Sequence, residues 1–307
     1  MNKILVIGRQ GQLARELAFT LAPIGQVSCL GRPEFDATEI ETLNETIAQL
    51  APDVIINASA YTAVDKAEQD SDAAFLLNAT AVKRLAETAK ALSIPLIHYS
   101  TDYVFAGTGT QPWSETDSTS PQGVYARSKR EGEQAIEASQ CAHFIFRTAW
   151  VYGHYGHNFY KTMRRLALER EEMKVVDDQR GSPTWSYMIA LATSQIIAQG
   201  LHLDAGRGAG NSKDYLLNFV SARSGTYHMT ADGACSWYEF ARQIIETDPQ
   251  KHLHKVRTLK PISTEEFPTP ARRPANSVLS NEKCFSTFGI RLPHWQSQLA
   301  LVQSQLK

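Results

Sequence analysis

Short apolar runs and helical-period segments alternate through the first half of the chain. The runs are Lys3–Ile7, Gln26–Leu30, Val54–Asn57, 96–100 and 144–147, short and mostly apolar, as strands buried on both faces should be. Between them, 11–21, 40–49, 70–92 and 124–138 carry helix-forming residues with apolar positions every three or four places. This alternation predicts βαβ units and therefore an α/β fold, a doubly wound parallel sheet with helices on both faces.

Beyond Tyr152 the rhythm breaks. A Gly/His-rich loop (153–158) leads to a charged helix over 159–172, a short strand at Val175 and Val176, and a helix over 184–199. Residues 203–225 contain four glycines and no sustained period, and are expected to form a surface loop or insertion. A helix over 236–246, a Pro-rich stretch from Pro261 to Pro274 and a terminal helix complete the chain. Residues 1–153 are expected to form the first domain, with segments around 174–200 returning to it. Residues 154–307 would then form mainly a second, smaller α/β domain.

Composition narrows the function. At 307 residues the chain can bury a core that needs no disulfide or metal. With 31 Lys and Arg against 32 Asp and Glu it lacks the basic field of a nucleic-acid or membrane-surface binder. Its 4 cysteines are scattered, with no metal-ligand spacing, and read as thiols in a reducing compartment. The opening apolar run is too short for a secretory signal, so a cytoplasmic protein is expected, with no metal centre.

Gly8, Gly11 and Ala14 form G-x-x-G-x-x-A between the first strand and the first helix. Glycines there let backbone N–H groups approach a pyrophosphate at a helix N-terminus, and a small third residue lets helix and strand pack closely. This points to a dinucleotide. At the end of the second strand an acid would grip a ribose 2′-hydroxyl, but the sequence has Leu30, Gly31 and Arg32. Arg32 suits a 2′-phosphate. NADPH is therefore expected, with NADH left open.

The fourth strand ends in Ser100, Thr101 and Asp102, at the carboxyl edge where open α/β sheets bind ligands. Tyr125 and Lys129 follow at i and i+4, on one helix face. The expectation is that the Lys129 ammonium lowers the pKa of the Tyr125 hydroxyl and reaches a cofactor ribose. Thr101 would hold a substrate oxygen while Tyr125 protonates it. The neighbouring His98 is expected to point into the core rather than into the site.

With the glycine turn, the strand-end Thr101 and the Tyr125/Lys129 pair in this order, the chain resembles the extended short-chain dehydrogenase/reductase superfamily. Within it, the chain is similar to the dTDP-4-dehydrorhamnose reductase family through 52–68, 98–105, 146–152, 178–184 and 268–274. The resemblance implies a Rossmann-type cofactor domain and a C-terminal substrate-binding domain. It also implies NADPH-dependent reduction of the C4 keto group of dTDP-4-dehydro-β-L-rhamnose to dTDP-β-L-rhamnose, for surface polysaccharide. Gly11, Gln12, Leu13, Asp36, Ala37, Ala60, Tyr61 and Thr62 match the family's cofactor contacts, Asp36 toward the adenine amino group. Thr101, Asp102 and Trp150 match sugar-nucleotide contacts, with Trp150 walling the sugar pocket. Arg273, in the Pro-rich stretch beside Arg272, is the expected cation for the substrate diphosphate.

Some members of the family bridge a homodimer through Mg²⁺ held by glutamates. Glu16 matches one of them, but the second falls at or near Tyr187, which cannot replace a carboxylate. A homodimer is left open, without an expected metal bridge. Two other functions share the fold: a nucleotide-sugar epimerase or dehydratase that retains NAD, and a non-catalytic regulatory subunit of methionine adenosyltransferase. The family segments and the missing acid at the end of the second strand argue against the first, and Thr101, Tyr125 and Lys129 standing together argue against the second.

Overall fold

The computed structural model describes residues 2–202 and 212–306. Five strands come first: β1 (Lys3–Ile7), β2 (Gln26–Leu30), β3 (Val54–Asn57), β4 (Leu96–Thr101) and β5 (His143–Thr148). Later strands are β6 (Val151–Tyr152), β7 (Glu172–Val176), β8 (Arg180–Gly181), β9 (Thr184–Trp185), β10 (Gly225–His228), β11 (Cys235–Ser236) and β12 (Thr258–Ile262). The main sheet has six parallel strands in the order β2-β1-β3-β4-β5-β10. Because the order reverses beside β1, the carboxyl ends of β1 and β3 open a crevice, the usual ligand position in such a sheet.

The helices are α1 (Gln12–Leu21), α2 (Ile40–Leu50), α3 (Val64–Ala67), α4 (Ser71–Phe75), α5 (Ala81–Ala91) and α6 (Val124–Ser139). They continue with α7 (Phe159–Glu169), α8 (Ser186–His202), α9 (Ser212–Ser221), α10 (Trp237–Glu246), α11 (Glu282–Phe288) and α12 (Trp295–Ser304). Ala14, Leu17 and Leu21 of α1 pack on one sheet face with Ile189 and Ile196 of α8 and Phe219 of α9. Leu43 and Ile47 of α2, Val82 and Leu85 of α5 and Ile136 of α6 cover the other face. Each such fully buried aliphatic side chain contributes about 1.5–3 kcal/mol. A separate core joins α7, α10 and α12 through Tyr160, Met163, Phe240, Ile244 and Trp295.

Three expected elements are corrected. Part of the 203–225 stretch is regular structure: Ser212–Ser221 is helix α9, and Gly225 opens β10, the sixth strand of the main sheet. Leu216 and Phe219 bury there, and Tyr227 and Met229 follow them into the same core. The remainder, 203–211, lies outside the described residues. Helix α7 stops at Glu169, because Glu172–Val176 pairs in parallel with Thr258–Ile262 as a strand. The expected 70–92 helix contains a π-turn at Leu76–Thr80 between α4 and α5. Among the described residues no helix is long and apolar enough to cross a membrane.

Candidate active site

The crevice at the β1 and β3 ends is a cavity of about 250 Å³ walled by Gly8, Gly11, Arg32, Asp36, Ala37 and Ala60. Gly8 has φ +117°, and a Cβ there would meet the Ala58 carbonyl carbon at 2.8 Å, so only glycine fits this turn. Gly11 caps α1 with no side-chain acceptor, leaving the helix's first N–H groups available to an anion. Arg32 is exposed, 3.8 Å from Asp36. Asp36 in turn accepts the Thr38 N–H at 2.9 Å and hydroxyl at 2.7 Å, which hold its carboxyl below the usual range.

The other expected cofactor contacts are placed less uniformly. Leu13 packs against the core below α1. Gln12 accepts from Asn158 Nδ2 at 2.8 Å, tying the Gly/His-rich loop to the start of α1. Tyr61 donates its hydroxyl to Asp70 at 3.0 Å, while Thr62 beside it is exposed. The backbone of Tyr61 is clamped by Asn78, which accepts from its N–H at 2.8 Å and donates to its carbonyl at 3.0 Å. Asn78 also donates to Ser128 Oγ of α6 at 3.0 Å. It lies in the π-turn, whose extra residue per turn re-aims a side chain. One buried amide thus connects the loop at Tyr61 to α6.

At the end of β4, the Thr101 hydroxyl stands close enough to the Tyr125 hydroxyl to favour its ionised form. Thr101 also donates to Asp102 Oδ1 at 2.9 Å and accepts from the Tyr103 N–H at 3.2 Å. Tyr103 meets Tyr125 edge-on, with ring centroids 5.8 Å apart. Burial pushes the Tyr125 hydroxyl up to about 12, against the pull of Thr101. This corrects the expectation that Lys129 would lower it. Lys129 turns instead to the Tyr99 carbonyl at 2.7 Å and to His98 Nε2 at 3.1 Å, and burial brings its amine down to about 8. His98 is buried, as expected, but as a polar partner of Lys129 on α6 rather than as packing.

A second cavity, of about 90 Å³, lies beside Tyr125 and is walled by Tyr103, Phe105, Gly107 and Arg273. Arg273 Nη2 pairs with Asp65 Oδ2 at 2.6 Å, while Nη1 is buried without a hydrogen-bond partner among the described residues. Arg272 is exposed. Asp102 is buried, its Oδ2 makes no hydrogen bond among the described residues, and burial raises its carboxyl to about 6.

Trp150 does not wall either cavity. It adopts φ +47° and stacks on Trp237 with ring centroids 3.4 Å apart. Gly181 leaves the room for its ring, since any Cβ there would collide with the indole. Burial raises the Glu16 carboxyl, and the nearby Ser186, which precedes Tyr187 in the chain, draws it down only in part. A lone carboxylate is a poor donor set for Mg²⁺.

The model of the RmlD substrate binding domain family matches residues 1–307. The chain belongs to this family. It is 45% identical over 302 residues to a dTDP-4-dehydrorhamnose reductase of Burkholderia thailandensis, covering 97% of each chain. It is 41% identical over 298 residues to the Escherichia coli K12 protein of the same name, covering 95% of this chain and 94% of that one. Among solved structures, the Clostridium acetobutylicum dTDP-4-dehydrorhamnose reductase superposes with a TM-score of 0.86 at 36% identity, covering 99% of each chain. The Bacillus anthracis dTDP-4-dehydrorhamnose reductase, solved in complex with NADP, gives 0.84 at 33% identity, covering 98% of this chain and 99% of that one.

In this member of the RmlD family four site residues escaped motif reading: Asn57, Asp65, Asn78 and Asn158. Asp65 and Asn57 lie inside the 52–68 family segment, where no role was read from them. The available signal was a polar residue ending an otherwise apolar buried strand, as Asn57 does in β3. Asn78 and Asn158 had no such signal, since their partners come from other elements.

Proposed function

We propose that this chain reduces the C4 keto group of dTDP-4-dehydro-β-L-rhamnose to dTDP-β-L-rhamnose, with NADPH as the preferred reductant and a cytoplasmic location. What carries this is the Thr101 hydroxyl standing beside the Tyr125 hydroxyl at the β4 end, with the glycine-turn crevice and the Arg273 cavity close by. The reductase name and near-complete coverage of the relatives supply the substrate. Four free cysteines accord with a reducing compartment.

The residues fit a nicotinamide dinucleotide. Gly8 and Gly11 leave the space a Cβ would fill, and the uncapped start of α1 offers N–H groups to a pyrophosphate. Arg32, with no carboxylate closer than 3.8 Å among the described residues, suits a 2′-phosphate. Bound there, NADPH supplies the hydride. Tyr125 supplies the proton, and the same burial that raises its pKa keeps the hydroxyl protonated up to about pH 12. Thr101 holds the carbonyl oxygen within reach of that proton. Arg273 presents its unpartnered Nη1 to the substrate diphosphate while Asp65 fixes the other side of the guanidinium.

An assay of NADPH oxidation with the keto sugar tests the reaction, with one NADPH consumed per alcohol formed. Turnover without net NADPH loss would make the protein an epimerase. Arg273→Ala is expected to raise KM for the dTDP-sugar about tenfold and leave cofactor KM unchanged. An unchanged sugar KM would remove Arg273 from the site.

A further inference from the structure

Behind Tyr125, three buried polar side chains form a row. Asn57, His98 and Lys129 are each at most 2% exposed. Asn57 Nδ2 lies 3.1 Å from His98 Nδ1, and Lys129 Nζ lies 3.1 Å from His98 Nε2.

Proton placement along this row follows from one backbone group. Asn57 Oδ1 accepts the Ser59 backbone N–H at 3.1 Å and the Ser59 hydroxyl at 2.7 Å. A backbone N–H can only donate, so the Asn57 oxygen must face it and the amide NH₂ must face His98. His98 Nδ1 therefore accepts. Complete burial, the larger cause, holds the imidazole well below its ordinary pKa, so the ring is neutral. A neutral imidazole whose Nδ1 accepts carries its single proton on Nε2. That proton points at Lys129 Nζ.

An ammonium has three donors and no lone pair, and could not accept it. A neutral amine can, while donating to the Tyr99 carbonyl at 2.7 Å. We propose that His98 is a positioning residue for Lys129: locked by Asn57 in its Nε2–H form, it points a donor at Lys129 and so favours the uncharged, hydrogen-bond-accepting amine in the free enzyme. Leaving His98 then restores the ammonium. The importance of this for turnover rests on the reading of Tyr125 and Lys129 as the proton-delivering pair.

The charges around Lys129 leave this possible. On its own helix the nearest is Glu133, which pulls toward the ammonium. Glu133 is engaged by Arg147 of β5 at 2.9 and 2.7 Å and by Arg130 at 2.9 Å. From β4 only His98 and the Tyr99 carbonyl face it among the described residues, and from β3 the uncharged Asn57 stands behind His98. Burial lowers the Lys129 amine to about 8, the direction that a neutral acceptor requires.

Nitrogen NMR of the full chain carrying ¹⁵N-histidine reads the tautomer without turnover, so it stands or falls apart from any result at Tyr125. The expected spectrum has one ring with protonated Nε2 and bare Nδ1, and that signal is missing from His98→Gln. A protonated Nδ1, or an imidazolium, would overturn the proposal. Asn57→Asp replaces the NH₂ with an oxygen, and should flip the ring to Nδ1–H and leave Nε2 free to accept from an ammonium. In both variants the limb of the kcat/KM pH profile that Lys129 sets should move upward by about one pH unit. Profiles coinciding with the wild type would reduce His98 to packing. Tyr125→Phe should lose turnover and keep the wild-type histidine spectrum, which separates failure of the proton-donor reading from failure of this one.

Discussion

Arg9 and Glu34, at the lip of the glycine-turn crevice, meet at 2.9 Å; Arg147 of β5 and Glu133 of α6 meet at 2.7 Å. The chemistry is the same and the surroundings are opposite. The first pair has side chains 52% and 64% exposed, where water and salt screen it. The second has side chains 3% and 0% exposed, and each partner would be an uncompensated buried charge without the other. The two regions follow this division throughout. The crevice uses backbone, glycines and exposed charges that can adapt to an arriving anion. The β4 and α6 corner uses interlocked buried side chains, in which moving one group changes the protonation or position of the next.

The largest expected break is at the buried pair. Glu133→Gln leaves the Arg147 guanidinium without its carboxylate and should cost about 3–5 kcal/mol of stability in denaturant unfolding. A loss under 1 kcal/mol would mean that water reaches this corner. Next is Tyr125→Phe, which keeps the ring and removes the proton. It should lower kcat on the order of 10²-fold or more, with NADPH affinity nearly unchanged by fluorescence titration. Near-normal turnover would show that another group delivers the proton.

Effects on the crevice side should be smaller. Arg32→Ala is expected to weaken NADPH about tenfold and to leave NADH unaffected, seen in paired kcat/KM measurements. Equal losses for both cofactors would assign Arg32 to the shared part of the dinucleotide. Arg9→Ala should change stability by less than about 1 kcal/mol, and less still in high salt. A change as large as that at Glu133 would break the comparison.

The motifs were legible because each is a local pattern with a local cause. The glycine turn needs φ beyond the reach of other residues at Gly8, and spacing alone puts Tyr125 and Lys129 on one helix face. Thr101 follows from its place at a strand's carboxyl end. What spacing could not show is which way Lys129 points. Its partners, His98 and the Tyr99 carbonyl, lie on β4, some 30 residues earlier, and they win because they offer buried acceptors beside a buried amine. Arg273 is similar: Asp65, 208 residues away, fixes it. Trp150 was read as a pocket wall, but a stacked Trp237 from α10 and the bare backbone of Gly181 draw its ring into packing.

By itself, then, the sequence determined the parallel strands of the first half, the glycine turn, the placement of Thr101 at a strand end and of Tyr125 and Lys129 on one helix, and the near-balance of charge, because hydrophobic period, backbone freedom and side-chain type are properties of short stretches. Only the tertiary structure decided that 225–228 completes the main sheet, that Asn78 joins the Tyr61 loop to α6, and that Lys129 rests against His98. Those outcomes depend on which buried donors and acceptors come within 3 Å or so of one another after packing, and no local pattern carries that distance.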